Sequence, residues 1–212
     1  MKSRFPTVRM RRLRKTETLR RLVRETTISV DDLIYPLFVE EGIDKPLPIS
    51  SMPGINRIPE QHLGAEIKAL QSEGLRAVML FGVSHNKDAT GTDSWKGDGL
   101  LSRMVKRAKD AAPDMAVIAD VCFCEYTDHG HCGVIEDGHV HNDTTIGNLG
   151  RQAVAAAQAG VDMVAPSSMM DGQVKAIREA LDDAGHVDLP IMAYSSIFAS
   201  AFYGPVRAAA GC

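Results

Sequence analysis

The sequence predicts an α/β fold on a parallel sheet, either doubly wound or closed into a barrel. Three observations carry this. Apolar strand-like runs recur about every 39 residues, each followed by an amphipathic helix pattern, and such alternation builds parallel sheets. The 212 residues are 44% hydrophobic and 24% charged, which fits one globular domain and excludes bulk disorder or a disulfide scaffold. The unusual polar residues Ser84, His85, Cys122, Cys124, Cys132, Ser167, Asp171 and Tyr194 fall just after strand ends. Barrels and open α/β sheets both place their sites there.

Taken in order, Asp31–Val39 reads as a turn feeding a strand, and Pro46–Pro59, with four prolines and no period, as a loop. Glu60–Glu73 aligns Leu63, Ile67 and Leu70 on one helical face, with Gly74 as a stop. Ala77–Phe81 is a buried strand, and Gly82–Gly99 is a long polar loop of the kind that is functional or mobile. Leu100–Ala112 is a helix with Leu101, Met104, Val105 and Ala108 inward. Met115–Val121 is the third strand, and the polar stretch Cys122–Asp143 follows it. The helix Thr144–Ala159 turns Ile146, Leu149, Ala153 and Ala156 inward, with Asp143 as its cap. Val161–Ala165 is the fourth strand. Asp171 caps a helix through Ala184 with Val174, Ile177 and Leu181 inward, Leu189–Tyr194 is the fifth strand, and Ser195–Cys212 trails away. A closed barrel needs eight such units and about 250 residues, so about five units are expected here.

Several function classes are unsupported. No GxGxxG follows a strand and no GxxxxGK[ST] occurs, which argues against dinucleotide and P-loop chemistry. No apolar run approaches the roughly 18 residues of a membrane span, and no apolar h-region follows the start. The net charge of −3 hides an asymmetry: residues 1–24 carry ten Lys/Arg and one acid, Glu17. Composition leaves this segment open as a nucleic-acid-binding tail, a transit-like start, an arm docking on an acidic partner subunit, or a solvated tail.

Three of the four cysteines fall in Asp120–Cys132, DVCFCEYTDHGHC, directly after a strand. The Cys-x-Cys spacing puts two sulfurs on one side of an extended chain, because side chains alternate. The third thiol returns through a polar loop. Three thiolates are one ligand short of a closed structural zinc site, and an open position is what a catalytic zinc needs. His129 or His131 would instead complete a closed Cys₃His set; inert thiols and a redox site are the remaining readings.

With these segments in view, the sequence resembles the 5-aminolevulinate dehydratase (porphobilinogen synthase) family. The resemblance is carried by Ser50–Pro59 (SSMPGINRIP), Leu80–Trp95 (LFGVSHNKDATGTDSW), Asp120–Gly133 (DVCFCEYTDHGHCG), Val164–Gly172 (VAPSSMMDG) and Met192–Pro205 (MAYSSIFASAFYGP). It implies a (β/α)8 TIM barrel of which about five strands are present, with a basic N-terminal arm over 1–30 and a partial catalytic barrel over 31–212. It implies a cytoplasmic hydro-lyase that condenses two 5-aminolevulinate molecules to porphobilinogen for haem and other tetrapyrroles. The oligomer implied is a homo-octamer assembled through the arm, with no nucleic-acid or membrane partner. Zinc would be held by Cys122, Cys124 and Cys132, with magnesium as an allosteric ion. Asp120 would assist proton transfer, Ser167 would belong to the catalytic set, and Tyr203 and Arg207 would bind substrate from the segment covering the site.

The chain also departs from the family pattern. The first Schiff-base lysine belongs at the third position of Ser195–Ser200, where this chain has Ile197. The second belongs to a Val-Lys-Pro strand that does not occur here. Ser168 stands where the family has Asp, Gln173 where it has Arg, and Asn86 where it often has His. Lys175, four residues before Glu179, reads as a solvent-facing ion-pair member, and Lys87 and Lys96 lie in a loop rather than at strand ends. The expectation is a truncated copy, inactive and prone to aggregation alone, because uncovered strand edges and apolar faces promote association. The alternative is a non-catalytic zinc-binding paralogue that docks into an active oligomer.

Overall fold

The computed structural model describes residues 4–196 and 203–211. The chain divides into two units, Met1–Asp32 and Leu33–Cys212. In the first, a 3-10 turn at Met10–Arg14 precedes α1, Glu17–Leu22, and a second 3-10 turn closes the unit at Val30–Asp32. Thr16 caps α1 by accepting from the Leu19 N–H at 3.2 Å, and none of the unit's described residues is buried.

The second unit contains β1 (Ile34–Glu40), β2 (Leu47–Pro48), β3 (Asn56–Pro59), α2 (Leu63–Ser72), β4 (Ala77–Val83), α3 (Leu100–Ala111) and β5 (Ala116–Val121). It continues with β6 (Ile135–Glu136), β7 (His139–Val140), α4 (Asn142–Ala159), β8 (Met163–Pro166), α5 (Gln173–Asp183) and α6 (Tyr203–Ala210). One sheet has the order β2-β3-β1-β4-β5-β8, parallel except for the short β2–β3 pair. β1 and β4 pair over seven residues, from Ile34 opposite Ala77 to Glu40 opposite Val83. The sheet is an open one among the described residues. Among them, no helix is long and apolar enough to cross a membrane.

Side-chain alternation gives the sheet two different faces. Val78, Leu80, Val117, Ala119, Val121 and Val164 point to the helices, where they meet Leu63 and Ile67 of α2, Met104 and Val105 of α3, Leu149 of α4 and Ile177 and Leu181 of α5. The other face carries Met79, Ile118 and Ala165, and beside them Phe38. The helix faces read from the sequence are therefore the buried ones, Ile146 only partly so, with one exception. Val174 is 42% exposed, because α5 begins at Gln173 and turns that glutamine inward instead.

Further expectations change at the ends of elements. α4 begins at Asn142, and its cap is the His141 ring, whose Nδ1 accepts from the Thr144 N–H at 3.2 Å, so Asp143 lies in the first turn. Gly172, at φ +77°, takes the cap position of α5, and the Asp171 N–H instead donates to Asn142 Oδ1 at 2.9 Å. The prolines of 46–59 do not exclude β2 and β3, which sit at the sheet edge. Within Cys122–Asp143, β6 and β7 form a hairpin around Asp137 (φ 50°) and Gly138 (φ 78°), the Asp-Gly turn that favours such pairing. The fifth strand is reduced to a bridge between Val164 and Ile191, extended by Met192 N–H to Val164 O at 2.9 Å. The segment after 195 does not simply trail away, since it contains α6.

The parallel register collects the strand C-termini at one edge, and Glu41 ties them together. One carboxylate oxygen accepts from Ser84 Oγ (3.1 Å), the His85 N–H (2.6 Å) and both the N–H (3.2 Å) and Nδ2 (2.9 Å) of Asn86. The other accepts from Arg103 Nη2 of α3 at 2.8 Å. Burial by itself raises the Glu41 carboxyl, but the His85 N–H and Arg103 outweigh it and hold the group below its ordinary value. A lowered carboxyl stabilises the fold above its ordinary value of 4.5, and the contribution fades as pH falls through the lowered value. Glu41→Gln is expected to lower stability by about 3 kcal/mol at pH 7, since it leaves buried donors poorly matched. Urea unfolding at a series of pH values should show the gap to the unchanged protein narrowing below pH 4.5.

Candidate metal and substrate site

Along β5 the even-numbered residues Ile118 and Asp120 turn away from the helices, and the alternation continues into the residues that follow. Cys122 and Cys124 therefore face the same side, while Phe123 between them is fully buried on the helix side, edge-on to Trp95 with ring centroids 5.8 Å apart. The chain then tightens, with Phe123 O accepting from the N–H of Tyr126 (2.8 Å) and of Thr127 (2.9 Å). Thr127 Oγ1 donates to His131 O at 2.9 Å and so returns the loop towards Cys132.

The result is a trio of thiols outside any disulfide. Cys122 Sγ and Cys124 Sγ are 3.4 Å apart, and all three sulfurs lie within 4.8 Å of one another. A tetrahedral zinc with Zn–S bonds of about 2.3 Å would set its sulfurs about 3.8 Å apart, so the donor set and its spacing suit such an ion. Neither His129 nor His131 joins a metal-type cluster among the described residues, and His129 Nε2 instead contacts Ala89 O at 3.1 Å. A second cluster, Asp120, Cys122 and Glu125, shares the Cys122 thiol.

These groups line a cavity of about 540 Å³. Asp120, Glu125 and the three cysteines make its polar end, Ser167 comes from the end of β8, and Arg207 and Ala210 come from α6. Phe38 and Phe81, stacked at 5.2 Å, form an apolar wall with Met52 and Ile55.

Two groups at the polar end are pushed upward. At Cys122 the neighbouring Cys124 sulfur pulls the thiol down, but Cys132 and complete burial outweigh it and push the value up to about 12. Burial also pushes the Glu125 carboxyl well up, reinforced by the charges of Asp120 and Cys122. Tyr194 is raised chiefly by burial, and its hydroxyl donates to the Met79 sulfur at 3.1 Å.

Of the residues singled out from the sequence, Asp120, Cys122, Cys124, Cys132, Ser167 and Arg207 reach this one cavity. Ile197 and the Tyr203 side chain lie outside the described residues, as does Cys212. Lys175 pairs with Glu179 at 3.6 Å on the exposed face of α5, and Lys87 Nζ donates to Gly211 O at 3.1 Å. Glu125 was not marked by its spacing. Its odd position in the alternation would send it to the helix side, and only the turn at Phe123–Thr127 brings it to the cavity.

Comparison with known proteins points one way. A family model described as Delta-aminolevulinic acid dehydratase matches residues 7–212. The chain is 56% identical to the delta-aminolevulinic acid dehydratase of Escherichia coli K12, over 96% of this chain and 63% of that protein. It is 50% identical to the Archaeoglobus fulgidus protein of the same name, over 97% of this chain and 64% of that one. Its fold matches the crystal structure of the dehydratase (porphobilinogen synthase) from Toxoplasma gondii ME49, in complex with the product porphobilinogen. The TM-score is 0.91 at 43% identity, covering 96% of this chain and 59% of that one. The chain thus spans less than two thirds of the length of these relatives.

Thiol labelling reads the trio directly. In chelator-treated protein at pH 8, iodoacetamide is expected to modify Cys122 at least about tenfold more slowly than Cys124 or Cys132, because a buried thiol with a raised value offers little thiolate. Peptide mass spectrometry over time measures the three rates. Equal rates would contradict the burial of Cys122.

Proposed function

Because the chain belongs to the delta-aminolevulinic acid dehydratase family, we propose that its cavity is a porphobilinogen synthase-type site for 5-aminolevulinate. One observation carries the proposal: Asp120, the thiol trio, Ser167 and Arg207, scattered over almost ninety positions, meet in a single cavity. Cys122, Cys124 and Cys132 would hold zinc, which when bound supplies a Lewis acid for a substrate oxygen or amine. Magnesium would act as an allosteric ion elsewhere on the protein. The basic segment 1–30 serves as the arm of a homo-oligomer, an octamer by analogy with the family, and the setting is cytoplasmic haem biosynthesis.

The chain's own residues suit the binding half of that chemistry. Arg207 offers a guanidinium to a substrate carboxylate, a pairing that is strong when bidentate. Ser167 offers a hydroxyl donor, and Asp120 stands where a proton is taken up or released. The Phe38–Phe81 wall packs the substrate methylenes and excludes water. Burial pushes the Glu125 carboxyl up, which disfavours a charge there against an anionic substrate.

The bond-forming half lacks a group. An imine with a substrate ketone requires a neutral lysine amine, whose attack converts the ketone into an electron sink. Ile197 has no amine, so this chain holds substrate without a covalent link at that position. The same residue favours a second reading, a non-catalytic zinc-binding subunit docked into an active oligomer through the arm. Co-purification with a lysine-bearing homologue would single that reading out.

The test uses the zinc-loaded chain, 5-aminolevulinate and borohydride. The expected result is no porphobilinogen and no substrate adduct on the Ser195–Ser200 peptide, with an adduct appearing there in Ile197→Lys. Porphobilinogen formation by the unchanged chain would overturn the role assigned to position 197. Failure of 5-aminolevulinate or porphobilinogen to bind at millimolar concentration would overturn the site itself.

A further inference from the structure

We propose that Gln152 and Ser168 are positioning residues that set Cys122 and Cys132 for a metal ion by holding their backbone carbonyls. The proposal rests on the reading of the thiol trio as a metal site.

Gln152 lies on the sheet-facing side of α4 and is fully buried. Its Nε2 donates to Cys122 O at 2.8 Å, across thirty residues of sequence. Its Oε1 has no hydrogen-bond partner among the described residues. A half-satisfied amide inside a core is unfavourable compared with an apolar side chain of the same size. Packing therefore does not account for a glutamine here, whereas its one bond does. The β5–β8 ladder ends at Val121 opposite Pro166, with Ser167 N–H on Val121 O at 3.3 Å. Cys122 O is the first carbonyl beyond that ladder, and Gln152 takes over where the strand partner stops. Fixing this carbonyl fixes the Cys122–Phe123 peptide plane. With the Phe123 ring held in the core, the directions of both the Cys122 and Cys124 side chains follow.

The third thiol is held in the same way from the other side. Ser168, only 3% exposed, donates its hydroxyl to Cys132 O at 3.1 Å. Ser168 is itself held, since its carbonyl accepts from Gln173 Nε2 at 2.8 Å, while Gln173 Oε1 accepts from the Met170 N–H at 3.3 Å. An ionised aspartate at position 168 could not donate to a carbonyl. The neutral serine and glutamine at the two positions where this chain departs from its family pattern thus form one connected device. Both anchors grip the carbonyl side of their cysteines and leave the sulfurs to the ion. Partners of this kind orient metal ligands and typically change affinity by about 10–100-fold when removed.

The experiment titrates chelator-stripped full chain with Co²⁺, following the thiolate-to-cobalt charge-transfer band, and then competes the cobalt with Zn²⁺. Gln152→Met and Ser168→Ala are each expected to weaken binding about 10–100-fold and to alter the band, while Ser168→Thr, which keeps the hydroxyl, stays within about threefold of the unchanged chain. The thermal midpoint of metal-free Gln152→Met is expected to stay level or rise. Unchanged metal affinity in Ser168→Ala, or in a folded Gln152→Met, would overturn the proposal and leave those residues as packing elements. If Gln152→Met does not fold, the Ser168 pair alone decides. An unchanged chain that shows no charge-transfer band would overturn the metal-site reading, and this proposal with it.

Discussion

The Glu41 carboxylate sits just past the end of β1 and gathers donors from two directions, the Ser84–Asn86 turn after β4 and Arg103 of α3, and Arg103 also donates to the Glu60 carboxylate ahead of α2. In-register parallel strands put every polar strand terminus at one edge of the sheet. Helices cover one face, so those groups are shielded from water and must satisfy one another. A buried anion with five protein donors meets that condition, and the position of the loops follows from it. The single Ser84 hydroxyl proton is shared between Glu41 and Asp93 (2.9 Å), and Asp93 in turn accepts from the Leu100 N–H at 3.2 Å, so the start of α3 is set by the same network.

From that edge the site is built by alternation. The period of two along β5 assigns Val117, Ala119 and Val121 to the helix-side core and leaves Ile118, Asp120 and Cys122 on the opposite face. Phe123 continues the core-facing set one residue beyond the strand, which keeps Cys122 and Cys124 together. Burial pushes the Cys122 thiol and the Glu125 carboxyl at this end of the cavity upward. A cation bound there would favour the ionised thiolates, and binding would release protons.

Much of this was legible in the sequence. The strands at Ile34, Ala77, Ala116 and Met163 and the buried stripes of α2, α3 and α4 follow from hydrophobic period, the most robust local signal. The Cys-x-Cys pair and its exit from a strand end follow from spacing. The helix starts were less legible. Asp143 and Asp171 are good caps by type, yet His141 and Gly172 hold those positions, because the loops they end are tethered by Asn142 to the Asp171 backbone. The fifth strand is another case. Leu189–Tyr194 has the composition of a strand but pairs only with β8 through a single bridge among the described residues, and strand character needs partners on the ladder.

By itself the sequence determined the alternating α/β architecture, the inward faces and the clustering of three thiols after a strand end, because each is a property of residue type and local period. Tertiary structure alone decided that Glu125 belongs to the cavity and the imidazoles of His129 and His131 do not join the trio. It decided too that Gln152 and Ser168, unremarkable in a helix and a turn, bond the carbonyls of Cys122 and Cys132. Contacts of this kind join residues thirty or more positions apart, and only the packing of α4 and the β8–α5 turn against the loop after β5 brings their donors within reach.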